Sequence, residues 1–176
     1  DPESNSVYFG SNRGHGHRDT LHLNLHGFGI DMMPDLGYPD FTGINALRYR
    51  WNSNMISHNT VTFRQEMPFP KEWEKDEMIL YQSVLKTIDG GQIRHFYAGD
   101  KVSIIDAEAP NLYNTPFRRT CITVDLDGSS RYVVDLFRAG GKQRHISYHA
   151  IGTETENTGI LFVPQQSGTY AGADIP

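Results

Sequence analysis

The chain has 176 residues, 38% of them hydrophobic, with 16 Lys and Arg against 21 Asp and Glu for a formal net charge of −5. That length supports one domain with a real core and leaves little room for a second, so 1–176 is read as a single domain. The acidic balance argues against a general nucleic-acid or membrane-surface binder, since either needs a basic face. Locally the charge differs, because Arg13, Arg18, Arg48 and Arg50 flank a histidine-rich stretch. One cysteine, Cys121, excludes an intrachain disulfide and a cysteine-rich zinc site, and its neighbours Ile122 and Val124 make it a buried thiol in a strand. No apolar run reaches the length of a membrane span and none reads as a signal peptide, which in a chain not opening on methionine carries no information about its address. The chain opens on Asp1-Pro2 rather than methionine, as expected of a mature product or an excised piece.

Taken in order, Val7-Tyr8-Phe9 reads as a lead-in strand ending at Gly10. From Asp19 to His26 apolar and polar residues alternate, with Leu21, Leu23 and Leu25 on one side and His22, Asn24 and His26 on the other, the period of a half-buried strand. His22 and His26 are read as exposed-face residues of that strand. Extended back to His15, the strand would put His15, His17 and Asp19 on the leucine face, with the two histidines roughly 6–7 Å apart at Cα. Gly27-Phe28-Gly29 breaks or bends it before Ile30 to Met33 resumes an extended run, and Gly37 and Pro39 signal a turn. Residues 36–57 have little periodicity, and a loop of that length in a compact domain is usually functional.

Ser57-His58-Asn59-Thr60-Val61 opens a further strand to Phe63. Pro68 to Glu77 is a charged loop in which only Pro70 to Met78 could start a helix, and Met78 to Ile88 is extended up to the hairpin signal Asp89-Gly90-Gly91. Arg94 to Tyr97 and Lys101 to Ala107 continue the meander. Arg118 to Leu126 and Arg131 to Phe137 flank a second hairpin at Asp127-Gly128-Ser129-Ser130. His145 to Ile151 and Gly159 to Val163 are the last strands, and Ser167 to Gly172 is a fraying tail. Short strands, regular turns and no long helical pattern predict an all-β protein, an antiparallel sandwich or a barrel.

His15, His17, Asp35 and His58 have the chemical types that hold a divalent cation: imidazoles with a carboxylate suit zinc, or iron where positions stay open. His-x-His alone is a weak signal, because two histidines at that spacing often line a polar rim. Two readings follow. The residues form an open facial triad for oxygen chemistry, as in a cupin-type metal-dependent oxygenase, or they hold a closed structural metal while a remaining histidine transfers protons. A cupin wants an acidic ligand a few residues after the paired histidines, and Asp19 lies only two beyond His17, which weakens the first.

The sequence also resembles the heparinase II/III-like polysaccharide lyases, which include alginate lyases of related architecture. The resemblance rests on Gly14-His15-Gly16-His17-Arg18-Asp19-Thr20-Leu21, Pro34-Asp35-Leu36-Gly37-Tyr38, Ser57-His58-Asn59-Thr60-Val61, and Val134-Asp135-Leu136-Phe137-Arg138 with Gly140-Gly141-Lys142-Gln143 and Tyr148-His149. These blocks occur in the family's order over most of the chain. The resemblance implies an antiparallel β-sandwich that a helical toroid precedes in the family, the toroid being absent from this chain. It implies a mainly structural zinc on His17, Asp35 and His58, with His15 facing the substrate. The other expected catalytic groups, a tyrosine and an asparagine or histidine, belong to the toroid, so this chain alone is expected to have little or no activity. The implied substrate is an acidic, uronate-containing polysaccharide, and the implied location is secreted or periplasmic.

Against that background Arg18, Arg48 and Arg50 could attract an anionic chain, or be solvated surface cations. Tyr49 and Trp51 sit mid-loop and could line sugar subsites, an aromatic face packing on the apolar face of a pyranose; for Tyr38 loop packing is preferred. His145 and His149 are read as structural hydrogen-bonding residues. The alternative from another class is a non-catalytic carbohydrate-binding or structural module that keeps the metal for stability.

Overall fold

The structure, a computed structural model, describes residues 4–10, 17–37, 51–52, 55–63, 90–113, 115–141, 144–154 and 156–161. The elements are strands β1 (Ser4–Tyr8), β2 (His22–Gly27), β3 (Ile30–Asp31), β4 (Val61–Phe63), β5 (Gln92–Ala98), β6 (Val102–Glu108), β7 (Phe117–Asp125), β8 (Arg131–Ala139) and β9 (Arg144–Ile146), with one 3-10 turn at Met55–Ser57. Among the described residues there is no α-helix, and no helix is long and apolar enough to cross a membrane.

Two layers form. In the first, β2 lies between β1 and β3, with Val7 opposite Leu23. Beyond the short β3 the same edge of β2 is taken by the segment entering β4, where the Leu23 N–H donates to the Asn59 carbonyl at 3.0 Å. β4 then pairs antiparallel with β9. The second layer is the antiparallel meander β5-β6-β7-β8, in which Ile105 faces Cys121 and Cys121 faces Asp135. Its last hairpin turns where the sequence places it: Asp127 Oδ1 accepts the N–H groups of Ser129 and Ser130 at 2.9 and 2.7 Å, and Gly128 takes φ +83°.

Strand alternation builds the core between the layers. Val7, Leu21, Leu23, Met55, Val61 and Phe63 from the first meet Ala107, Leu112, Phe117 and Cys121 from the second, all buried. Phe63, Tyr113 and Phe117 stack edge to face, with centroids 4.3 Å (Phe63 to Tyr113) and 5.2 Å (Tyr113 to Phe117) apart. A two-layer antiparallel arrangement around one core is a β-sandwich.

The predicted thiol is where expected. Cys121 is fully buried on β7, and burial pushes its pKa up to about 12. A chromogenic disulfide reagent at pH 8 should therefore label it at least about 100-fold more slowly than in the unfolded chain, since only the thiolate reacts. Rapid labelling of the native protein would contradict this placement.

Three strand predictions need correction. The histidine strand does not reach back to His15: Leu21 takes φ +60°, and the His22 N–H donates to the Asp19 carbonyl at 2.8 Å, so residues 19–22 form a turn. That turn breaks the alternation, and His22, expected on an exposed face, is only 5% exposed. The strand at His145 lasts only to Ile146: after one more rung, Ser147 N–H to the Thr60 carbonyl at 3.1 Å, the chain leaves the ladder, and the His149 N–H donates to the Asn59 side chain and the Ile151 N–H to the Met32 carbonyl. Gly159 to Leu161 is irregular, with Gly159 at φ +81° and Leu161 89% exposed. The strand at Met78 to Ile88, the helix start at Pro70, residue Asp89, residues 162–163 and the tail lie outside the described residues.

Candidate metal centre

Three segments far apart in sequence converge at one end of β2. His17 sits just before the turn at 19–22, which is tied to β1 by the Leu21 N–H donating to the Tyr8 carbonyl at 2.7 Å. Asp35 lies after β3 in an Asx turn: its Oδ1 accepts the Gly37 N–H at 2.8 Å, and Gly37 takes φ +61°, a conformation natural to glycine. His58 leaves the 3-10 turn, its N–H bonded to the Met55 carbonyl at 3.1 Å.

Asn59, fully buried, fastens these segments together. Its Nδ2 donates to the carbonyls of Leu23 and Met33 at 3.1 and 3.3 Å, and its Oδ1 accepts the His149 N–H at 2.5 Å. Its backbone N–H donates to His22 Nδ1 at 3.0 Å. Beside it Thr60 Oγ1 donates to the Thr20 carbonyl at 2.9 Å. Every bond here is buried or partly buried, where a lost partner leaves a desolvated polar group costing about 1–3 kcal/mol.

The result is that the ligand-type atoms of His17, Asp35 and His58 all lie within 4.8 Å of one another. His17 Nδ1 is 3.3 Å from Asp35 Oδ1, His58 Nε2 is 3.0 Å from Asp35 Oδ2, and the two nitrogens are 3.3 Å apart. Atoms about 2.0–2.1 Å from a tetrahedral zinc stand about 3.3 Å from one another, so this spacing fits the ion. The donor set fits as well, two imidazoles and one carboxylate. If both nitrogens instead donated to Asp35, two N–H groups would confront each other at 3.3 Å; a cation between them replaces both hydrogens. His17 and His58 are buried while the Asp35 side chain is 34% exposed, so the cluster opens to solvent on the aspartate side.

The electrostatics agree. Burial alone would raise the Asp35 carboxyl, but hydrogen bonds from His58 and the Gly37 N–H hold it well below the usual carboxylate range. It is a ready anionic ligand. Burial lowers His22 to about 4, aided by His58, and raises Asp19 to about 6, opposed by His58.

Of the other expected residues, Trp51 is half-buried and stands edge-on to His149 at 5.6 Å. His149 Nε2 lies 2.8 Å from the Ile56 carbonyl, consistent with the structural role read for it. Arg18, next to His17, is half-buried, and that burial lowers its pKa. His15, Tyr38, Tyr49, Arg48 and Arg50 lie outside the described residues. Sequence reasoning passed over Asn59, whose position directly after a candidate ligand was the available signal. It also passed over Ser57, whose Oγ is 3.1 Å from His58 Nδ1.

An antiparallel sandwich whose loops gather two buried imidazoles and a carboxylate places a candidate metal site at the edge of a β-domain. The family model Heparinase II/III-like, C-terminal, matches residues 4–166, and the chain belongs to that family, one of polysaccharide lyases. No curated protein matches the chain.

Proposed function

We propose that this chain is the sandwich part of a polysaccharide lyase that cleaves a uronate-containing acidic polysaccharide by β-elimination, with a mainly structural zinc on His17, Asp35 and His58. The observation that carries this reading is the spacing of the three ligand atoms, together with membership of the family. When bound, the ion would tie the segment before β2 to the loops carrying Asp35 and His58.

The reaction sets the demands on the protein's own groups. The proton beside the uronate carboxylate is weakly acidic, so the carboxylate must be neutralised by donors or cations that stabilise the enolate-like transition state. A base near neutral pKa takes that proton as the carbon–carbon double bond forms, and an acid protonates the departing glycosidic oxygen. His15, two residues before His17, meets the pKa demand as base or as neutraliser. Arg18 and Arg50 would attract the anionic chain, and Tyr49 and Trp51 would line sugar subsites. A tyrosine from a preceding helical toroid would supply the acid, and the reading carries a secreted or periplasmic location with it.

The test is made on the intact enzyme by following the ultraviolet absorbance of the unsaturated product from alginate, heparan sulfate and other uronates. His15→Ala should lower turnover by about 100-fold or more, the usual contribution of a general acid–base group. The 176-residue chain alone should give little or none. Unchanged turnover in the variant would instead favour a non-catalytic carbohydrate-binding or structural module, a reading to which the depth of His17 and His58 also lends support.

A further inference from the structure

His58 is 1% exposed, and its ring is boxed in by two other imidazoles, His17 at 5.4 Å and His22 at 5.6 Å between centroids, both edge-on. Close packing of this kind holds the ring in one orientation. In that orientation Nε2 faces Asp35 Oδ2 at 3.0 Å and Nδ1 faces Ser57 Oγ at 3.1 Å.

A neutral imidazole carries one proton, on either nitrogen. With no cation present, Nε2 needs that proton to donate to Asp35, and Nδ1 is then an acceptor. With a cation on Nε2, that nitrogen must offer its lone pair, so the proton belongs on Nδ1, which becomes a donor. The usual partner of a metal-bound histidine, a carbonyl or carboxylate, only accepts and so suits only the second state. A hydroxyl both donates and accepts, and suits both. Ser57 is 4% exposed, which keeps bulk water from competing for the bond.

We propose that Ser57 is a positioning residue whose hydroxyl lets His58 exchange tautomers as a divalent cation enters the site. A proton leaves Nε2, one is taken up at Nδ1, and the Ser57 O–H turns from donating to accepting, so the charge and proton count of His58 are unchanged. The inference rests on the metal-centre reading above, and it explains why the residue before this ligand carries a hydroxyl.

The test uses the full chain with 15N-labelled histidine, read by NMR without and with zinc, alongside zinc affinities from competition with a chromophoric chelator. His58 should be protonated at Nε2 in the metal-free chain and at Nδ1 when loaded. Ser57→Ala should bind zinc about 10–100-fold more weakly, the usual effect of losing such a partner, and Ser57→Thr, which keeps the hydroxyl, should recover most of the affinity. An unchanged His58 tautomer, a Ser57→Ala chain that binds as tightly as the parent, or a folded Ser57→Thr chain no better than the alanine variant would overturn the inference and leave the centre standing. A parent chain that takes up no zinc would overturn the centre and the inference together.

Discussion

Arg119→Met is expected to lower the unfolding free energy by about 3–5 kcal/mol, the usual cost of leaving one member of a buried ion pair without its partner. Arg119 is fully buried on β7, and its guanidinium spans the two layers. It forks onto Asp135 of β8, with Nε at 2.9 Å from Oδ1 and Nη2 at 2.7 Å from Oδ2. Its Nη1 donates to the Leu21 carbonyl at 2.7 Å and to the Asn59 carbonyl. Those carbonyls belong to the residue before His22 and the residue after His58, so one side chain fastens the metal-centre segments to the larger sheet. The methionine would fill much of the volume but leave the Asp135 carboxylate and two carbonyls without these donors. Arg119→Lys should rescue little, because a single ammonium cannot reproduce a planar fork with three separate acceptors. Arg119→Met combined with Asp135→Leu should recover part of the loss, since the uncompensated charge is then gone. Denaturant midpoints with unchanged slopes would measure all three, and an Arg119→Met chain within about 1 kcal/mol of the parent would contradict the assigned role.

Stripping the cation is expected to lower the melting temperature by on the order of 10 °C. With free zinc at 1,000 times its dissociation constant, linkage contributes about 4 kcal/mol, and each kcal/mol moves the midpoint of a domain this size by about 2–4 °C. The large effect follows from what the three candidate ligands would join: a turn before β2, an Asx turn after β3 and the exit of a 3-10 turn, none of which lies within a strand ladder. Asp35→Ala should melt at about the temperature of the stripped parent and respond little to chelator. Readdition of zinc should restore the parent and not the variant. A parent whose melting point ignores chelation would contradict a structural ion.

Much of this architecture was legible in the residues, and what was not has identifiable causes. The β7–β8 hairpin was readable because Asp127-Gly128-Ser129-Ser130 supplies both a positive-φ glycine and an aspartate that caps its own turn. The residues of the candidate centre were readable as types and by resemblance, but their convergence depends on Asn59 and Thr60, whose buried bonds run to residues 26 to 90 positions away. No local pattern carries that information. The extension of the histidine strand failed because Leu21, a residue with no preference for positive φ, is held there by a bond to Tyr8 and by burial, so tertiary context overrode propensity. Arg119 did leave a trace: in Phe117-Arg118-Arg119-Thr120-Cys121 the odd positions point inward, and an arginine between a phenylalanine and a cysteine on a buried face needs a partner. Its partner Asp135 stands in a similar alternation between Val133 and Phe137 on β8.

The most direct test of the account is elemental analysis of the purified full chain beside its Asp35→Ala variant. One zinc per parent chain and almost none in the variant is the predicted result. Stoichiometric iron, or zinc retained undiminished by the variant, would contradict it.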